Sequence, residues 1–127
     1  MTNTKKLIIL AVILIAIVVC MKFIVKAANT PGKYDTFAQC LKEKGALFYG
    51  AFWCPHCQEQ KKAFGSSKKY LPYVECSTAD GRAQKQICID KKIEGYPTWT
   101  FADGTTLSGE IALEVLAEKT SCTLPKE

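Results

Sequence analysis

Residues 50–60 read GAFWCPHCQEQ. Two cysteines, Cys54 and Cys57, stand three positions apart around Pro55 and His56. The run before them, ALFYGAFW at 46–53, is short, aromatic and uncharged, which predicts a buried strand. The run from 55, PHCQEQKKAFGSSKKY, predicts a helix with a bend or break near Gly65. Pro55 takes the first helical position, where its missing N–H costs nothing. The pair therefore sits where a strand gives way to a helix. A helix N-terminus offers unpaired N–H groups and the positive end of the dipole. Both favour a thiolate, the reactive form of cysteine. Cys54, just before the helix, is the expected exchanging sulfur, and Cys57, one turn later and shielded, the resolving one. Pro55 fixes the turn, and His56 adds positive character beside Cys54. A stabilised reduced form makes an oxidising disulfide.

Other chemistries explain the pair less well. A disulfide staple accounts for two cysteines but not for their place at a strand-to-helix junction. A structural zinc needs four ligands. His56 lies between the cysteines, and Cys76 and Cys88 are too far apart to make a second knuckle. Covalent haem needs His directly after the second cysteine, and here that residue is Gln58. No metal and no cofactor are expected.

Outward from the pair, YDTFAQCLKEK at 34–44 has helical spacing that stops at Gly45. PYVEC at 72–76 predicts a second strand, and DGRAQKQICIDKK at 80–92 a helix with Asp80 near its start. PTWTFA at 97–102 predicts a third strand, turned by Asp103-Gly104 into a short fourth at TTL. GEIALEVLAEKT at 109–120 predicts a closing helix that offers Ile111, Leu113, Val115 and Leu116 to the core. The order is a helix, then β-α-β-α-β-β-α. It predicts an α/β domain with a mixed four-stranded sheet and helices on both faces.

FWCPHC and, forty residues after the second cysteine, GYPTW at 95–99 resemble the two signature segments of the thioredoxin superfamily. The resemblance implies a thioredoxin-like fold with a cis Pro97 against the active pair. It also implies that Tyr96, Pro97 and Trp53 hold an extended substrate. More narrowly, GAFWCPHCQEQK, a pair spaced like Cys76 and Cys88, and GYPTW resemble the thioredoxin-like domain attached to bacterial and plant homologues of vitamin K epoxide reductase. That likeness runs over residues 36–122. Cys-Pro-His-Cys is also the motif of the DsbA oxidases. One departure stands out. Many thioredoxin-fold enzymes carry a buried carboxylate six residues before the first cysteine, to handle the proton of the second. Here that residue is Phe48, leaving water, Glu59 or Tyr49 for the task.

Seven cysteines in 127 residues is dense. Cys20 lies in an apolar segment and reads as a small apolar residue there. Beside the active pair, Cys40, Cys76, Cys88 and Cys122 allow three pairings. Cys76–Cys88 with Cys40–Cys122 keeps a local pair local and ties the ends of the domain together, and is the expected pairing. A second redox role for Cys76–Cys88 is the alternative.

The stretch from Leu7 to Val25 is 19 residues long with a single lysine, Lys22. It is long enough to cross a bilayer, with Lys22 snorkelling to the interface. The expected organisation is an anchor at 1–26, a linker at 27–33 and a thioredoxin-like domain at 34–124, with a cleaved signal peptide as the alternative. Beyond Lys26 the chain carries thirteen basic and twelve acidic residues, so the formal charge of +5 gives the domain no basic surface. No nucleic-acid partner is expected. An even set of cysteines behind an export segment places the domain on the extracytoplasmic, oxidising side. The expected protein is a membrane-anchored thiol–disulfide oxidoreductase that oxidises cysteine-containing exported proteins. Its expected reoxidant is a quinone-linked membrane partner resembling vitamin K epoxide reductase or DsbB. An isomerase or reductase, or a non-catalytic binding module, are the alternatives.

Overall fold

Four short strands, β1 (Leu47–Gly50), β2 (Tyr73–Glu75), β3 (Thr98–Thr100) and β4 (Thr106–Ser108), form one mixed sheet in the order β2-β1-β3-β4, and the pairing follows from how the chain connects them. The computed structural model describes residues 2–28 and 30–126. Met1 of the expected anchor and Asn29 of the expected linker lie outside them. β1 and β2 are joined by a helical crossover and run parallel. β3 pairs antiparallel with β1, and β4 returns antiparallel from β3 through the Asp103-Gly104 turn.

The residues up to Pro31 and those from Gly32 on are separate compact units. In the first, α1 (Asn3–Ala28) is 26 residues long and its apolar side chains from Leu7 to Val25 are all exposed. At 1.5 Å per residue it is about 39 Å long, enough to span a bilayer. Its length and apolar composition fit a membrane anchor and a signal sequence alike.

The second unit holds the sheet. Register places Phe48, Tyr73, Trp99 and Leu107 on one face. On that face α2 (Asp35–Glu43) buries Phe37, Ala38 and Leu41. Phe48 stacks on Trp99 at 4.9 Å, and Phe37 on Phe64 at 5.9 Å. α3 (Pro55–Ala63) and α5 (Leu113–Thr120) complete the layer with Cys57, Gln60 and Leu116. The other face is smaller. Tyr49 meets Cys76, Cys88 and Ile93 there, under α4 (Gln86–Asp90). Helices thus cover both faces.

Several elements are shorter than the sequence predicts. The strand expected over 46–53 stops at Gly50, because the Phe52 N–H turns to the Glu75 carboxylate and the Cys54 N–H closes a turn on Ala51. The helix begun by Pro55 ends at Ala63 and continues as a 3-10 helix over Gly65–Tyr70. The helix expected over 80–92 is only α4. Side-chain oxygens win the preceding segment. Asp80 Oδ1 accepts from Thr78 Oγ1 and the Arg82 N–H, and Thr78 Oγ1 accepts from the Ala83 N–H. Gly81, at φ +72°, supplies the left-handed residue this turn needs. The closing helix starts at Leu113 rather than 109. Buried Gln60 holds Ile111 outside the helix, accepting from its N–H at 2.7 Å and donating to its carbonyl at 3.1 Å. Val115, expected in the core, is 40% exposed, while Ile111 and Leu113 pack at the core's edge and Leu116 lies inside.

Candidate active site

The junction between β1 and α3 presents both cysteines. Cys54 is the N-cap of α3, with extended backbone (φ −79°, ψ 118°), and Pro55 follows at the first helical position. The Cys57 N–H points at Cys54 Sγ from 3.4 Å. This is the capping geometry in which a helix start offers its free donors, with sulfur as the acceptor. Both cysteines are free thiols. Cys54 keeps 5% of its surface and Cys57 none. Burial, and next the hydrogen bond with Cys54, push the Cys57 thiol up to about 12. The two sulfurs are therefore unequal, one at the rim and one sealed beneath it.

The segment 95–99 closes over the rim. The Tyr96–Pro97 bond is cis. The Tyr96 carbonyl accepts from Cys54 Sγ at 3.7 Å. Trp53 is 53% exposed, donates from Nε1 to Ser77 Oγ at 2.9 Å, and meets Tyr96 edge-on at 6.0 Å. Beside these two aromatics opens a cavity of about 490 Å³, with Ser77, Arg82, Gln84 and Glu94 on its walls. Tyr96 and Trp53 thus line a concave surface beside Cys54.

His56 is at the surface. Its Nδ1 lies 2.6 Å from Glu110 Oε1. Glu110 escapes a sequence reading because it follows 54 residues later, in the loop before α5. The groups named for the Cys57 proton are elsewhere. Tyr49 faces the opposite side of the sheet, with Cys76 and Cys88. Glu59 pairs with Lys62 on the surface at 3.5 Å. Tyr73 and Glu75 of β2 stand behind Cys57 instead, with Lys61 Nζ 3.4 Å from the centre of the Tyr73 ring. Parallel pairing of β1 with β2 was the only available signal for them.

Cys20 in α1 is free, and the other four cysteines are bonded. Cys40 on α2 joins Cys122 just beyond α5, and Cys76 joins Cys88 on α4. Cys76 and Cys88 are fully buried, which leaves no open route for thiol exchange through them. Among the described residues no group of three or more His, Cys, Asp or Glu side chains is arranged to hold a metal ion.

The sequence profile of the Thioredoxin family matches residues 27–120. Thiol-disulfide oxidoreductase LTO1 of Arabidopsis thaliana is 48% identical over 91 residues, covering 68% of this chain and 24% of that protein. Thioredoxin domain-containing protein 5 homolog of Drosophila melanogaster is 35% identical over 75 residues, covering 50% of this chain and 17% of that protein. The chain spans about a quarter or less of the length of these relatives.

Proposed function

This chain belongs to the Thioredoxin family, and we propose that it is a membrane-anchored thiol–disulfide oxidoreductase that oxidises the cysteines of exported proteins. The observation that carries the reading is the unequal pair. Cys54, with 5% of its surface open, caps a helix under the Tyr96 carbonyl, and Cys57 lies sealed one turn below. In the oxidised protein a substrate thiolate attacks Cys54 Sγ. The Cys54–Cys57 bond breaks, and its electron pair leaves on Cys57. The substrate's second thiolate then attacks its own sulfur in the mixed disulfide and frees Cys54. The substrate loses two electrons and gains a disulfide, and the protein ends as the dithiol.

Tyr96, Pro97 and Trp53 seat the substrate segment beside Cys54. His56, with Glu110 as its partner, supports the Cys54 thiolate. Cys40–Cys122 and Cys76–Cys88 are structural. The domain sits on the extracytoplasmic side behind its anchor. The likeness of GAFWCPHCQEQK and GYPTW to the domain attached to vitamin K epoxide reductase homologues supports a quinone-linked membrane protein of that kind, or a DsbB-like one, as reoxidant. The name of the Arabidopsis relative supports the reaction class.

The test is trapping in cells. A Cys57→Ser chain lacks the resolving sulfur and accumulates mixed disulfides with exported proteins, seen as reducible high-mass bands. A Cys54→Ser chain gives none. Equal trapping by both variants, or by neither, contradicts the assignment.

A further inference from the structure

The fold leaves the Cys57 sulfur without solvent, yet thiol–disulfide exchange moves a proton to or from it in every cycle. Its surroundings on the first sheet face are mostly apolar. Phe48, stacked on Trp99, takes the strand position where a carboxylate would serve. One polar group comes near, the Tyr73 hydroxyl, and it can do so because residue 50 has no side chain. A Cβ on Gly50 would stand 3.0 Å from Cys57 Sγ, 3.3 Å from the Tyr73 hydroxyl and 2.8 Å from the Tyr73 ring. Sulfur and phenol thus both pack into the space that a side chain at residue 50 would fill. From there the Tyr73 hydroxyl donates to Glu75 Oε2 at 2.8 Å. Glu75 is half-buried and is held in place at Oε1 by the N–H groups of Phe52 (3.2 Å) and Ser77 (2.9 Å). From the space beside the sealed sulfur, the hydroxyl leads to a half-buried carboxylate.

We propose that Tyr73 and Glu75 form the proton path of Cys57, opened by the missing side chain of Gly50. The proposal rests on the functional reading above. When Cys57 resolves a mixed disulfide on Cys54, its S–H proton passes to the Tyr73 oxygen. Tyr73 at the same time passes its own proton to Glu75. The Cys57 electron pair forms the Cys54–Cys57 bond, the bond from Cys54 to the partner sulfur breaks, and the partner leaves as a thiolate. Glu75 then gives the proton to water. In substrate oxidation the same path runs backward and protonates the departing Cys57 thiolate. Tyr73 begins and ends each passage as a phenol. Burial, then its bond to Glu75, raise its pKa, which suits a relay that never rests as phenolate. The charged and titratable groups around the path are Cys54 at the N-cap of α3, Lys61 from α3, Lys68 from the 3-10 helix and Tyr96 before Pro97. The Lys61 ammonium over the Tyr73 ring offsets the Glu75 charge.

A relay changes rates without changing equilibria, and that separates it from a structural or purely electrostatic role. The experiment uses the full chain in detergent micelles and stopped-flow fluorescence. It measures reduction of the oxidised protein by dithiothreitol and reoxidation of the dithiol by oxidised glutathione. Tyr73→Phe keeps the ring and removes the relay. It is expected to slow both directions by one common factor, at least about 10-fold, with the reduction potential unchanged. Glu75→Gln is expected to slow both as well. Wild-type rates in Tyr73→Phe overturn the path. So does slowing in one direction only with a shifted potential, which is the mark of a charge effect. A wild-type chain whose pair does not exchange overturns the functional reading, and the path with it.

Discussion

Cys57 shows how burial of one atom sets a pH dependence. In the unfolded chain its thiol titrates near 9.0, and in the folded dithiol the value is pushed up to about 12. The folded form therefore keeps its proton where the unfolded form has lost it. The stability this provides is complete below pH 9 and is lost as pH rises toward 12. The slope approaches about 1.4 kcal/mol per pH unit for one proton. The oxidised protein has no Cys57 thiol and lacks the slope. Denaturant titrations of both redox forms between pH 8 and 11 are expected to show the reduced form falling away from the oxidised one. Parallel curves would mean that Cys57 is not sealed. At this scale the sequence is eloquent about neighbours in the chain and silent about neighbours in space. Cys54, Pro55 and Cys57 announce themselves by spacing, and Pro97 by the family resemblance of GYPTW. Glu110, Tyr73 and Glu75 do not, since the chain returns to the pair only through the loop before α5 and the parallel pairing of β2 with β1.

Elements were legible where an apolar pattern decides them and poorly so where side-chain oxygens do. The order of strands and helices, the proline start of α3 and its break at Gly65 follow from pattern and punctuation. The segment before α4 does not, because Thr78 and Asp80 cap a local turn more favourably than they extend a helix. The late start of α5 has a cause in another helix. Gln60, 2% exposed on α3, satisfies both backbone groups of Ile111 and also accepts from Trp99 Nε1 at 3.4 Å. Gln60→Leu leaves those buried groups unpaired. It is expected to cost about 1–6 kcal/mol, from one or two of the three that find no water, at about 1–3 kcal/mol each. Chemical denaturation of the oxidised chain measures it. A loss below about 0.5 kcal/mol would show that water or a shift of the loop replaces the glutamine.

The whole domain is closed by chemistry as much as by packing. The sheet is narrow, its strands are three or four residues long, and its second face holds one small cluster. Cys40–Cys122 spans 82 residues and ties α2 to the chain beyond α5. In the loop-entropy account a closure of that length stabilises by about 4–5 kcal/mol at most. The double variant Cys40→Ser, Cys122→Ser is expected to lose a large part of this in denaturation midpoint. Its Cys54–Cys57 potential should stay at the wild-type value, because the link lies outside the redox site. A shifted potential would mean that the staple also shapes the site.

The central claim is direction, that this protein gives disulfides rather than removes them. The most direct test is the reduction potential of Cys54–Cys57 in the full chain, equilibrated with glutathione buffers and read by thiol trapping. The account predicts a value well above about −200 mV, in the range of strong oxidases. A value near about −270 mV, that of thioredoxin, would contradict it and make the protein a reductase.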